Sequence, residues 1–186
     1  GLHSITSGQI FLRGENFKPK SAQDAYSHKI AFIHQHFVLA DHLTVLENLV
    51  LSSSASLTIL KNQPREMIRQ KAETLLTKFK WSIRLDLKVS QISVGEQQRL
   101  EILKALLQEP DIIIFDEPTA VLTPQEADEL LDFIINLKKQ NKTILLISHK
   151  LREIKKVSDF VSVLRQGELV HSSSAHDLSI DQMAEK

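Results

Sequence analysis

The chain has 186 residues, 42% hydrophobic and 25% charged, with 23 basic and 23 acidic residues and no cysteine. This is the composition of a globular chain with a real core, not of a disordered tail, and its zero net charge gives no electrostatic case for nucleic acid. Disulfides and thiolate metal sites are excluded, as suits a reducing cytosol, and no apolar run reaches the length of a membrane span or secretory signal, so a membrane role must come through a partner.

In chain order, residues 8–12 (GQIFL) read as a strand and residues 13–16 (RGEN) as its turn. Residues 21–28 form a short helix, with Ser21 and Asp24 at capping-box spacing, and residues 30–34 a second strand. From Asp41 to Leu107 the pattern is helical. One helix starts at Thr44, with Glu47 three residues on, and another at Pro64, with Ile68, Ala72, Leu75, Leu76 and Phe79 on one face. Residues 52–56 (SSSAS) read as a loop between them.

After Pro110 the chain returns to α/β. DIIIF is a strand without polar alternation, expected to have both faces covered. Thr123, Pro124 and Glu126 stand as N-cap, N1 proline and N3 glutamate of a helix that buries Leu130, Leu131, Ile134 and Leu137. TILLIS (residues 143–148) is the next strand, which makes a right-handed parallel βαβ unit. Residues 160–164 and 168–171 form a hairpin around Gln166 and Gly167. An α/β core is thus interrupted by a helical insertion of roughly 65 residues, itself of subdomain size. Gly1 in place of Met, and DQMAEK without a helix-ending Gly or Pro, lead to the expectation that both ends are cuts.

Four places can carry chemistry. Asp116 and Glu117 end the DIIIF strand, and adjacent strand residues point to opposite faces, so the two acids suit different tasks: one holding Mg²⁺, the other reaching a water that attacks a phosphate. The carboxyl ends of parallel strands are where open α/β sheets bind ligands. Ser93 and Glu96 make a capping box at the start of a helix carrying Leu100, Leu103 and Leu107, and Gly95 in its first turn lets backbone amides approach an anion. His149 ends a strand 32 residues after Glu117, placed to reach the same phosphate, and Gln35 ends another with a carbonyl suited to Mg²⁺ and water. His34, His36 and His42 lack a fourth ligand at zinc spacing.

The series Gln35, helical insert, SVGEQ (residues 93–97), IIIFDEP and His149 resembles the ATP-binding cassette (ABC) ATPases over nearly the whole chain. The resemblance implies an α/β P-loop NTPase fold with a parallel-sheet core and a helical subdomain, N-terminally truncated. Residues 1–40 and 108–175 would form the ATPase core, residues 41–107 the helical subdomain and residues 176–186 a linker. It further implies that Glu117 is the catalytic base and His149 the switch histidine. Gln35, Ser93, Val94, Gly95, Glu96, Gln97 and Asp116 would contact ATP, with Asp116 and Gln35 serving Mg²⁺. Within the family, FIHQHFVLADHLTVLENLVL, SVGEQQRLEILKAL and EPTAVLTPQE are most similar to the first of two tandem cassettes in bacterial nucleoside and simple-sugar import ATPases. The implied partners are a second cassette, transmembrane permease subunits and, indirectly, a solute-binding protein, with no nucleic acid. The implied location is the cytoplasmic face of the membrane.

Val94 and Glu96 stand where the wider family has glycine and glutamine, and Thr123 where it has a D-loop aspartate. Five glycines occur, and none opens G-x-x-x-x-G-K-[ST]. By family pattern the phosphate loop and the adenine-stacking aromatic lie before Gly1, so the expectation is a chain inactive alone. The alternatives are a degenerate, non-catalytic regulatory or interaction module, and a non-transport ABC-type ATPase. The 57 residues between Gln35 and Ser93 leave the latter little room for coiled-coil arms.

Overall fold

A computed structural model describes residues 5–55, 65–177, 179, 180 and 182. The first strands among the described residues form a hairpin, β1 (Phe11–Leu12) against β2 (Glu15–Asn16). Arg13 and Gly14 between them both have positive φ, 53° and 84°. That is the turn whose twist matches paired strands, so only two of the four RGEN residues turn and the other two pair back. Helix α1 (Ala22–Ser27) is capped by Ser21, whose Oγ accepts from Asp24 N. The Asp24 carboxylate caps Lys20 N at 2.7 Å, one residue outside the expected box. Strand β3 spans Ile30–Ile33.

Helix α2 (Val45–Ala55) starts on the Thr44 and Glu47 box, with Thr44 N donating to Glu47 Oε2 at 2.8 Å and Glu47 N to Thr44 Oγ1 at 3.2 Å. The serines expected to form a loop continue this helix. Ser52 Oγ donates back to Leu49 O at 2.8 Å, satisfying the hydroxyl within the helix, while Val45, Leu46 and Leu49 bury its other side. Ser56 and Pro64 lie outside the described residues. Helix α3 (Arg65–Phe79) buries Ile68, Ala72 and Leu76, as its periodicity predicts.

Helix α4 (Val94–Leu106) leads through a short turn into β4 (Ile112–Asp116), then α5 (Pro124–Lys139) and β5 (Thr143–Ile147). A seven-residue helix not anticipated from sequence, α6 (Leu151–Val157), precedes the hairpin of β6 (Phe160–Arg165) and β7 (Glu168–Ser174). That hairpin is longer than expected, and its Gln166 and Gly167 turn has φ of 52° and 84°. β3, β4 and β5 form a parallel sheet in that order, with Asp116 level with Ile147. The βαβ unit is therefore present, with β4 central.

Two cores meet on α4. Leu100, Leu103 and Leu107 join the buried cluster of α2 and α3, whereas Ile102, Ala105 and Leu106 join the cluster of the sheet and α5. The β4 run is not equally covered on both faces: Ile113 and Phe115 are fully buried, while across the sheet's other face Phe32, Leu145 and Ile147 are 37–53% exposed. The described helices α4 and α5 pack on one face only of that three-stranded sheet, which leaves the aliphatic run without alternation but with unequal burial. Leu103 is fully buried, so Leu103→Ala should destabilise the fold by about 2–5 kcal/mol, read as a fall in the denaturant midpoint. Among the described residues no helix is long and apolar enough to cross a membrane.

Candidate active site

Glu117 follows the last residue of β4 in a left-handed backbone conformation, φ 44°. A non-glycine residue held there costs on the order of 1–3 kcal/mol and persists only when its surroundings fix it. Here the fixing groups are the Glu117 N–H, which donates to Ile147 O at 2.9 Å, and the Glu117 carbonyl, which accepts from Ala120 N at 3.1 Å. The sharp exit turns the Glu117 carboxylate toward the residues that follow β3 and β5. Gln35 Nε2 donates to Glu117 Oε2 at 3.2 Å, and His149 Nδ1 lies 2.9 Å from Oε1. A carboxylate only accepts, so the Nδ1 proton is donated and Nε2 is left for another partner. His149 has a side-chain exposure of 70% against 28% for Glu117, so the histidine stands at the mouth and the acid behind it.

The structure thus joins three of the sequence candidates, Gln35, Glu117 and His149, through two hydrogen bonds to one carboxylate. Asp116 ends β4 beside them, half-buried and without a side-chain hydrogen bond among the described residues. Asp116 and the Gln35 carbonyl are hard oxygen donors of the kind Mg²⁺ takes, and Gln35 already spends its amide N–H on Glu117, which frees Oε1. No group of three or more His, Asp or Glu side chains converges on a point among the described residues. His34 packs against the Phe32 ring, 4.5 Å between centroids.

The residues 93–97 form a second set, and no hydrogen bond or ion pair among the described residues links them to Glu117. Ser93 caps α4: its Oγ accepts from Glu96 N at 3.2 Å and its N–H donates to Glu96 Oε2 at 2.8 Å. Gln97 turns inward, donating to Ile92 O at 3.3 Å. Ser93 and Val94 are exposed. Gly95 is buried, and a Cβ there would fall 2.8 Å from Glu126 Cδ and closer still to its Oε1. The glycine therefore serves packing of α4 on α5 as well as any ligand.

Glu126 does more than its N3 capping position announces. It completes the α5 cap, accepting at Oε2 from Thr123 N (2.9 Å) and Thr123 Oγ1 (2.8 Å), while lying against Gly95. The Thr123 backbone N–H, then its hydroxyl, and Arg99 hold the Glu126 carboxyl below its ordinary 4.5. A depressed carboxyl stabilises the fold above its unfolded value, and that contribution is lost as pH falls through the folded value. Glu126→Gln should therefore lower stability at neutral pH, and its deficit should shrink below about pH 4.5 in denaturant titrations run across pH. Two further side chains tie the loop after Gln35 to α4: Glu101 Oε1 accepts from Val38 N at 2.7 Å, and Lys104 Nζ donates to Val38 O at 2.8 Å.

The sequence profile of the ABC transporter family matches residues 1–120. The chain belongs to that family. It is 39% identical to the nucleoside import ATP-binding protein NupA of Lactococcus lactis, over all of this chain and 36% of that protein. It is 36% identical to the ribose import ATP-binding protein RbsA of Bacillus subtilis, over all of this chain and 38% of that protein. A Mycoplasma pneumoniae protein with a provisional name as a carbohydrate transport ATP-binding protein is 45% identical over 99% of this chain and 34% of its own length. This ABC chain thus spans about a third of the length of the relatives it matches. Its fold is that of a nucleotide-free ATP-binding cassette from an ABC transporter, with TM-score 0.82 at 23% identity over 99% of this chain and 76% of that one.

Proposed function

We propose that the chain is the hydrolytic part of an ATP-binding subunit that powers import of a simple sugar or nucleoside. The observation that carries this reading is the Glu117 carboxylate, bent out of β4 and held by Gln35 and His149. A carboxylate so fixed orients a water for in-line attack on the γ-phosphate and takes its proton, and positioning of this kind supplies most of phosphoryl-transfer catalysis. His149, exposed at the mouth and held through Nδ1 by Glu117, leaves Nε2 as an acceptor for the attacking water. Asp116 and Gln35 would hold Mg²⁺, which neutralises the phosphate oxygens when bound.

The start of α4, with Ser93 and Val94 exposed and Glu96 half-buried, takes no part in these bonds and suits the ATP of a second cassette. Residues 1–40 and 108–175 would make the ATPase core, residues 41–107 the helical subdomain and residues 176–186 a linker. Transmembrane permease subunits would hold the assembly at the cytoplasmic face of the membrane, with a solute-binding protein acting beyond it and no nucleic acid involved. A degenerate regulatory module would have no need of a strained glutamate held at both oxygens. The test is phosphate release and solute uptake by the full-length protein reconstituted with its permease in vesicles. Uptake of ribose, xylose or a nucleoside driven by ATP supports the reading, and uptake indifferent to ATP overturns it.

A further inference from the structure

A buried carboxylate lies directly behind Glu117 and His149. Glu153 on α6 is 9% exposed, and Thr119, two residues after Glu117, is 2% exposed. Thr119 Oγ1 donates to Glu153, 2.9 Å from Oε1 and 2.8 Å from Oε2. Lys150 Nζ donates to Thr119 O at 3.0 Å and Thr119 Oγ1 at 3.1 Å, and pairs with Glu153 Oε1 at 3.4 Å. Ser148 Oγ accepts from Lys150 N at 3.0 Å and reaches Glu153 Oε2 at 3.5 Å. Thr119 Oγ1 thus donates once and accepts once, and every polar group in the cluster has a partner.

Such a cluster is a poor way to gain stability, since apolar side chains of similar volume often serve as well. What it fixes is geometry. Thr119 belongs to the loop that leaves Glu117, and Ser148 and Lys150 are the residues on either side of His149. The main chain of Glu117 is already pinned to Ile147 O. The two loops that carry the acid and the histidine are therefore joined at their base by that bond and behind by the Glu153 cluster. We propose that Glu153 is a positioning residue that holds His149 against Glu117 during ATP hydrolysis, an inference that rests on the function proposed above. It touches neither nucleotide nor water; it acts through Thr119 on one loop and through Ser148 and Lys150 on the other. A polar cluster with every member satisfied makes this a single rigid arrangement rather than a range of them.

In the full-length protein, Glu153→Gln should lower kcat for ATP roughly ten- to a hundred-fold, the scale of a small misplacement, with KM changed less than about twofold. Thr119→Val should do the same and Thr119→Ser should restore activity. The deciding comparison is with His149→Ala. Adding Glu153→Gln to that variant should lower kcat no further, whereas a residue that only supports the fold would multiply the two losses. A second measurement needs no hydrolysis: the ¹⁵N resonance of His149 Nδ1, assigned by its loss in His149→Ala, should move toward that of an unbonded imidazole in Glu153→Gln. Wild-type protein that does not hydrolyse ATP would overturn the proposed function and leave this resonance to decide the positioning. Multiplied losses in kcat, or an unmoved His149 resonance, would overturn the positioning role.

Discussion

In the full-length protein, Glu117→Gln should bind ATP as tightly as the parent and release phosphate roughly 10²–10⁴-fold more slowly, the usual contribution of a positioned general base. The substitution is nearly isosteric. The carbonyl of the introduced amide can still accept from Gln35, and its NH₂ can donate to His149 Nδ1 when the imidazole carries its proton on Nε2, so both contacts can persist with the histidine tautomer exchanged. The backbone anchors at Ile147 O and Ala120 N do not involve the side chain and should hold the loop in place. The melting midpoint should accordingly change little while turnover collapses. A fluorescent ATP analogue measures the first expectation and single-turnover phosphate release the second. Equal loss of binding and turnover would mean that the side chain shapes the nucleotide pocket rather than the attacking water, and undiminished release would remove Glu117 from the role.

The parts of this site that were legible in the sequence are those set by short-range rules. Thr123, Pro124 and Glu126 announce a helix start, and α5 begins there with both capping bonds made. Ser93 and Glu96 do the same for α4. Strand polarity and the βαβ connection place Gln35, Glu117 and His149 at the carboxyl ends of β3, β4 and β5, adjacent in the sheet. Each of these follows from periodicity, a cap or chirality, and needs no knowledge of packing.

What was not legible depends on the third dimension. From sequence Gly95 points to ligand approach, because no sequence rule puts the N3 glutamate of one helix against the first turn of another, yet Glu126 lies there. Serines 52–54 look like a loop by composition, and the burial of Val45, Leu46 and Leu49 decides for helix instead. Glu153 offers one signal: it lies four residues before Val157, the other buried residue of α6, at helical spacing just after His149. A buried carboxylate has to find partners, and those partners are the two loops of the site.

The 186-residue chain by itself should show no measurable affinity for Mg-ATP below millimolar concentration. None of its five glycines opens a G-x-x-x-x-G-K-[ST] loop, so no backbone cradle for the β- and γ-phosphates is encoded in it. A cradle of that kind supplies three or four charge-assisted hydrogen bonds, each worth about 1.5–3 kcal/mol, and at the low end their loss costs on the order of four decades of affinity. Gln35, Asp116, Glu117 and His149 cannot replace them, because two of the four are carboxylates, which accept only and bring no donor to phosphate oxygens. Titration calorimetry checks this, with far-ultraviolet circular dichroism confirming a folded sample. The control matters because Phe32, Leu145 and Ile147 leave one sheet face partly open, and Phe160, Leu164 and Leu169 are 61–70% exposed on the terminal hairpin. Exposed apolar surface of that kind favours self-association, so concentration should be kept low and light scattering recorded alongside. Millimolar or tighter binding by a folded, monomeric sample would mean that the acids, glutamine and histidine grip the nucleotide without a phosphate loop, and would shift the weight of recognition onto Asp116 and its cation.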